Sequence, residues 1–313
     1  MGWYCSYLWF PSDQADMLRG DSIIGHLSGR PRFTPFNLFM GDHASMLKSS
    51  NPAFGEETIR NADWWTDSAV AETASISGII NKTGMFAFVL AIAGAGGYAT
   101  IQANPGLLWP VTLISMAVVF GSFFLIRGSA RMARNVGFVY SACQGFMLGG
   151  IAVMFENILA SREIVVPGGI VLQAFLVTAG VLIAMLGLFK AGILTGGPLF
   201  TRVVMVATVG VMVAMLLSFV VSFFGVSVPF MNPAAAFDGG SSALIGLGIS
   251  GALLLLASMW LIIDFRRAEE LVAAGAAKES EWYVAFGLIV TIAWIYLEAM
   301  RLIFYLAAFT SRD

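Results

Sequence analysis

Charge is scarce in this chain. Asp, Glu, Lys and Arg make up 12% of its 313 residues, about half of what a soluble chain carries. The net charge of −2 comes with no basic patch able to hold a phosphate backbone, which argues against a nucleic-acid partner. Histidine is nearly absent: His26 and His43 are both in the N-terminal region. Haem ligation by histidine, a zincin site and a Ser-His hydrolase inside the membrane each need a histidine that is missing there. Cysteine is equally rare. Cys5 and Cys143 lie far apart, and Cys143 is inside an apolar run, so no disulfide framework is expected. No lysine falls mid-run. Lys82, Lys190 and Lys278 stand at segment ends or in a loop, which excludes a retinal-type Schiff base.

Hydrocarbon is abundant. Hydrophobic residues account for 58% of the chain and the mean hydropathy is +0.83. That composition predicts an all-α polytopic membrane protein whose first partner is the lipid bilayer. Thr83 to Ile126 carries no charge, and Gln102-Ala103-Asn104-Pro105-Gly106 breaks it with turn chemistry, so it reads as helices over 84–102 and 107–126. Further spans are predicted over 135–155, 164–189, from Arg202 to Gly225, over 243–264 and over 282–309, seven in all. Pro229 to Ser242 reads as a loop.

The N-terminal part differs. Residues 1–45 are mixed and polar and are expected to be a disordered extension, with Met46 a natural beginning for the rest of the chain. No signal peptide is legible, and Trp3 and Tyr4 spoil the myristoylation outline of Met1-Gly2 and Ser6. Residues 46–83 read as a cytosolic segment, Glu72 to Lys82 as a short surface helix, and 84–309 as the membrane domain. Asn81-Lys82-Thr83 matches a glycosylation acceptor by chance, because it abuts a helix on the inner side. Lys and Arg cluster in the loops of one side: Lys82, Arg127, Arg131, Arg134, Lys190, Arg202, Arg266, Arg267 and Lys278. The positive-inside bias then sets the N-terminus in the cytoplasm and the C-terminus outside.

Against this background the intramembrane acids stand out. Asp264 closes one apolar run, and Glu298 sits inside another with Arg301 one turn on. A carboxylate in lipid costs roughly 2.5–3.5 kcal/mol on insertion scales, so such residues face a partner or a water path. Structural readings stand beside this. Asp264 could be an interfacial acid next to Arg266 and Arg267. Glu298 could be half of an ion pair with Arg301. Glu156, at a run's end beside a polar loop, reads as solvated, and Glu269 and Glu270 as a cytosolic extension of the sixth helix. The Gly94, Gly96, Gly97 cluster and the Gly149-Gly150 pair read as close helix contacts.

The order of several segments resembles the bacterial branch of the Bax inhibitor (transmembrane Bax-inhibitor-motif) family. They are the Ser50-Asn51-Pro52-Ala53-Phe54 leader, Gly169-Ile170-Val171-Leu172-Gln173-Ala174, Asp264-Phe265 with Glu269, and Glu281-Trp282-Tyr283 followed by Trp294-Ile295-Tyr296-Leu297-Glu298. The resemblance covers about residues 46–309. It implies six helices around a central seventh, and a proton-sensitive acidic pair gating a calcium leak, with Asp264 and Glu298 at the matching positions. Gln144 stands where related members tend to carry Glu. Glu298 follows Asp264 by 34 positions. A hairpin turning near Gly275 sets Asp264 opposite about residue 288, and Glu298 would then lie about 15 Å deeper.

If the two acids share a pocket they titrate as a unit, and deprotonation opens a weak transit site for calcium. The expected function is therefore a pH-regulated calcium (cation) leak of the plasma membrane. Asp264 and Glu298 would serve as ion path, pH sensor and transient calcium ligands, with Arg301, Glu156 and Gln144 modulating. No resident cofactor is expected. The competing reading is a regulator that binds a membrane protease or another integral partner and moves no ion. An enzyme is disfavoured, because no nucleophile–base pair is legible.

Overall fold

The structure, a computed structural model, describes residues 73–128, 132–222, 224, 233–237 and 242–311. The expectations for 1–45, for most of 46–83, for Arg127 and Arg131, and for much of the Pro229–Ser242 loop lie outside the described residues or side chains. Seven helices cross the described part: α1 (Ile76–Ala103), α2 (Leu108–Gly128), α3 (Ala133–Ala160), α4 (Gly169–Lys190), α5 (Pro198–Ser222), α6 (Ser242–Ala273) and α7 (Ser280–Thr310). Each is long and apolar enough to span a bilayer. Short 3-10 turns cover Pro105–Leu107 and Pro233–Phe237.

Polar residues decide which helix goes where. Between Val203 and Val221, α5 carries nothing more polar than Thr208 and Ser218, and both hydroxyls donate back to carbonyls four residues earlier. Such a helix can meet lipid all round, and 6% of its spanning window is buried. The α7 helix carries Glu281, Thr291 and Glu298, which lipid would penalise, and 72% of its window is buried. Side chains of α7 enter or border all four apolar clusters of the core. The seventh helix is thus the axis of the bundle.

The α1 and α3 helices run parallel and touch backbone to backbone. A methyl group on Gly97 would overlap the carbonyl of Phe146, one on Gly145 that of Leu90, and one on Gly149 that of Gly94. Such contacts replace the hydrophobic driving force that helices in lipid lack. Gly94, Gly97 and Gly149 therefore act as expected, whereas Gly96 meets open space.

Three boundaries differ from expectation. The first span and the surface helix before it are one helix from Ile76, because the polar positions cause no break. Lys82 finds a carboxylate, and Thr83 donates to the Ile79 carbonyl at 2.9 Å. The α4 helix starts at Gly169 rather than Ile164, since Pro167 precedes two glycines at φ 76° and 78°. The α6 helix continues past Asp264 to Ala273, helped by Arg266 and Glu270 paired at 2.7 Å across one turn. Glu269 and Glu270 do lie on that extension. The hairpin into α7 turns at Gly275, φ 67°, as expected.

Candidate functional site

Asp264 is 2% exposed, deep in α6. The residue facing it across the hairpin is Thr291, whose hydroxyl donates to Oδ2 at 2.5 Å. A hydroxyl has one proton, so the 3.3 Å approach of the same oxygen to the Gly287 carbonyl is the weaker alternative. Oδ1 of Asp264 has no hydrogen-bond partner among the described residues. Arg267, half-buried one turn on, acts on the carboxylate electrostatically. Asp264 is therefore buried in the α6–α7 hairpin rather than solvated.

Glu298 is 1% exposed and holds different partners. Arg301 donates to its two oxygens at 3.4 and 3.5 Å, and the indole N–H of Trp294 reaches Oε1 at 3.4 Å. All three residues are on α7, so Glu298 is satisfied within its own helix. Thr291 and Glu298 are seven residues apart, nearly two turns, which puts them on one stripe of α7 about 10 Å apart along the axis. The structure gives Asp264 and Glu298 separate partners and pairs each with its own neighbour. No group of three His, Cys, Asp or Glu side chains among the described residues converges as a metal site.

Glu156 corrects the solvated reading. It is half-buried, accepting the Tyr98 hydroxyl at 2.6 Å and the backbone N–H of Ile170 at 3.1 Å. It thus ties the end of α3 to α1 and satisfies a free N–H at the start of α4. Gln144 is 8% exposed, and its Oε1 has no partner among the described residues. Cys143 beside it is a free thiol whose carbonyl accepts the Ser115 hydroxyl at 3.0 Å.

One strong site gave no warning in the sequence pattern. Glu281, 1% exposed in the first turn of α7, accepts Lys82 Nζ at 2.5 Å, the Ser75 N–H at 2.8 Å and the Ser75 hydroxyl at 3.1 Å. Lys82 also reaches the Lys278 carbonyl and lies over the Trp282 ring, which Arg134 of α3 approaches as well. Gly78 leaves the room the Glu281 carboxylate occupies, since a methyl group there would displace it. Thr73 forms an isolated bridge with Ala277 beside this clamp. Only bundle topology could have pointed to it: helices one and seven of an up-and-down bundle are parallel, so a lone base and a lone acid opening them meet.

Between α1, α3, α4 and α7 lies a trough of about 1070 Å³, apolar except for Tyr98, Glu156, Thr178 and Tyr296. Residues 47–308 match the family model described as Bax inhibitor 1 like. No curated protein and no solved structure matches the chain.

Proposed function

This chain belongs to the Bax inhibitor 1-like family, and on that premise we propose that it is a proton-regulated cation leak, calcium its expected ion, in a cell membrane. The observation that carries the reading is Asp264: a carboxylate inside a spanning helix, with one oxygen held by Thr291 and the other unpartnered among the described residues. Buried acids of this kind mark ion or proton paths.

The arrangement changes the chemistry expected of a coupled diacid. Thr291 cannot ionise. When Asp264 is ionised, Thr291 donates to it. When Asp264 is protonated, its O–H donates to Thr291 Oγ1, and the threonine proton turns to the Gly287 carbonyl. The α6–α7 contact is satisfied both ways, so the proton changes the charge on the path and leaves the hairpin tied. Ionised, Asp264 attracts a cation through Oδ1; protonated, it does not. Raised pH favours leak and acid suppresses it. Glu298, on the same stripe and held by Arg301, is a second stage along the α6–α7 seam, binding weakly enough to release. The end of the bundle with Lys82, Lys190, Arg266 and Lys278 faces the cytoplasm. We assign no chemical reaction to the protein.

The test is calcium entry into dye-loaded liposomes at about pH 6 and about pH 8, on either side of neutrality. Entry should rise with pH, and Asp264→Asn should abolish that rise. Thr291→Val should change the pH response without removing it, and Glu298→Gln should lower flux at both values. Entry no greater than in empty liposomes at either pH would end the leak reading. The regulator that binds an integral membrane partner through the 46–83 segment would then take its place.

A further inference from the structure

The trough has a shape and a polarity that the leak does not use. Helices α1 and α4 form its walls, and α3 and α7 its floor. Wall residues such as Ala95, Leu172 and Phe175 are exposed, so the trough opens sideways from the bundle. At about 1070 Å³ it matches or exceeds a usual ligand pocket, roughly 300–1,000 Å³.

Its polar groups are not spread evenly. Thr178 is spent, because its hydroxyl donates to the Ala174 carbonyl. What remains is Glu156, with Tyr98 bonded to it, and Tyr296 in the same lining. Glu156 is in the last turns of α3, and its partner Ile170 is in the first turn of α4. The polar end of the trough therefore lies toward the end of the helices, and the apolar remainder runs inward past Thr178 to Leu182. That is how a lipid lies in a leaflet, head at the surface and chain toward the middle.

Charge narrows the choice of head. No lysine or arginine lines the trough, and Glu156 is its one carboxylate. A carboxylate accepts about four hydrogen bonds, and Glu156 has two, from Tyr98 and Ile170. The polar end offers open acceptor positions and a negative charge. It repels phosphate and carboxylate heads, which sets aside the ammonium-bearing phospholipids too because each carries a phosphate, and suits a head that donates hydrogen bonds through hydroxyls. We propose that the α1–α4 trough binds a single-chain lipid with an uncharged, hydroxyl-bearing head, of the monoacylglycerol class, with its hydroxyls on Glu156 and its chain along α4.

The experiment uses the full chain in lipid nanodiscs and two photoreactive probes with the same diazirine-bearing tail, one a monoacylglycerol and the other a free fatty acid. Labelled residues are mapped by mass spectrometry, with unlabelled monoacylglycerol as competitor. Saturable, competed labelling on α1 and α4, stronger for the monoacylglycerol by roughly tenfold, about the weight of one hydrogen bond to a charged group, is the expected result. Ala95→Trp, an exposed position that fills the trough, should remove it. Phe124→Trp, exposed on α2 away from the trough, should not. Glu156→Gln should erase the preference between the heads while leaving some labelling. Equal labelling by both probes would mean bulk lipid fills the trough and would overturn the proposal. So would absence of saturable labelling, or crosslinks joining two copies of the chain through α1 and α4.

Discussion

Replacing Glu281 by glutamine should be among the most damaging single changes at the end of the bundle where α1 and α7 begin. The carboxylate accepts three hydrogen bonds, one from an ammonium at 2.5 Å. An amide oxygen can keep the two from Ser75, but the amide N–H group then faces Lys82 Nζ, donor against donor. Breaking a buried pair costs about 3–5 kcal/mol, and the lower end applies because the Lys82 side chain stays 13% exposed. We expect about 3 kcal/mol for Glu281→Gln. For Lys82→Met we expect about 2 kcal/mol, since Ser75 still serves the carboxylate. The double variant should be no worse than Glu281→Gln alone, giving a coupling of about 2 kcal/mol. Reversible unfolding of the detergent-solubilised protein gives the cycle. Hydrogen exchange at the Ser75 to Ile79 amides gives the local effect, which should be faster in both single variants. Additive single effects, with coupling below about 0.5 kcal/mol, would refute the clamp.

Other consequences are simpler to check. Gly149→Ala places a methyl group on the Gly94 carbonyl and should cost about 3 kcal/mol by forcing α1 from α3, whereas Gly96→Ala meets open space and should be neutral; unfolding of the two side by side decides. Tyr98→Phe removes the 2.6 Å bond to Glu156 and should cost about 1.5 kcal/mol, with faster exchange at the first amides of α4. Asp264→Asn should leave calcium entry unresponsive to pH in the liposome assay, while the Gly96→Ala protein keeps the wild-type response.

The seven spans were legible in the chain because each is an apolar run with at most two charged residues, near the length a bilayer demands, and hydropathy reports transfer into lipid. The turn at Gly275 and the glycine contacts of α1 and α3 were legible for the same local reasons, one from backbone freedom and the other from side-chain size. The importance of Asp264 and Glu298 could also be seen, since a carboxylate stands out in hydrocarbon. Arg301, one turn on from Glu298, was legible as its partner, whereas the partner of Asp264 was not. Whether Asp264 meets residue 288, 291 or 298 depends on how α6 and α7 slide and rotate against each other. A seven-residue difference moves the contact about 10 Å with little change of face.

Glu156 failed for a related reason. Its place beside a polar loop suggested water, and only the parallel packing of α1 on α3 brings the Tyr98 hydroxyl to it, with the start of α4 folded over its other oxygen. The central place of α7 came from family resemblance, because an apolar side chain is as content in lipid as in a protein core, so hydropathy alone does not tell an outer helix from an inner one. The amino-acid sequence by itself determined what crosses the membrane and which groups must find a partner there. Tertiary structure alone decided the partners found on other helices, Thr291 for Asp264, Tyr98 for Glu156 and Lys82 for Glu281, because those depend on the offset and rotation of helices packed against several neighbours at once.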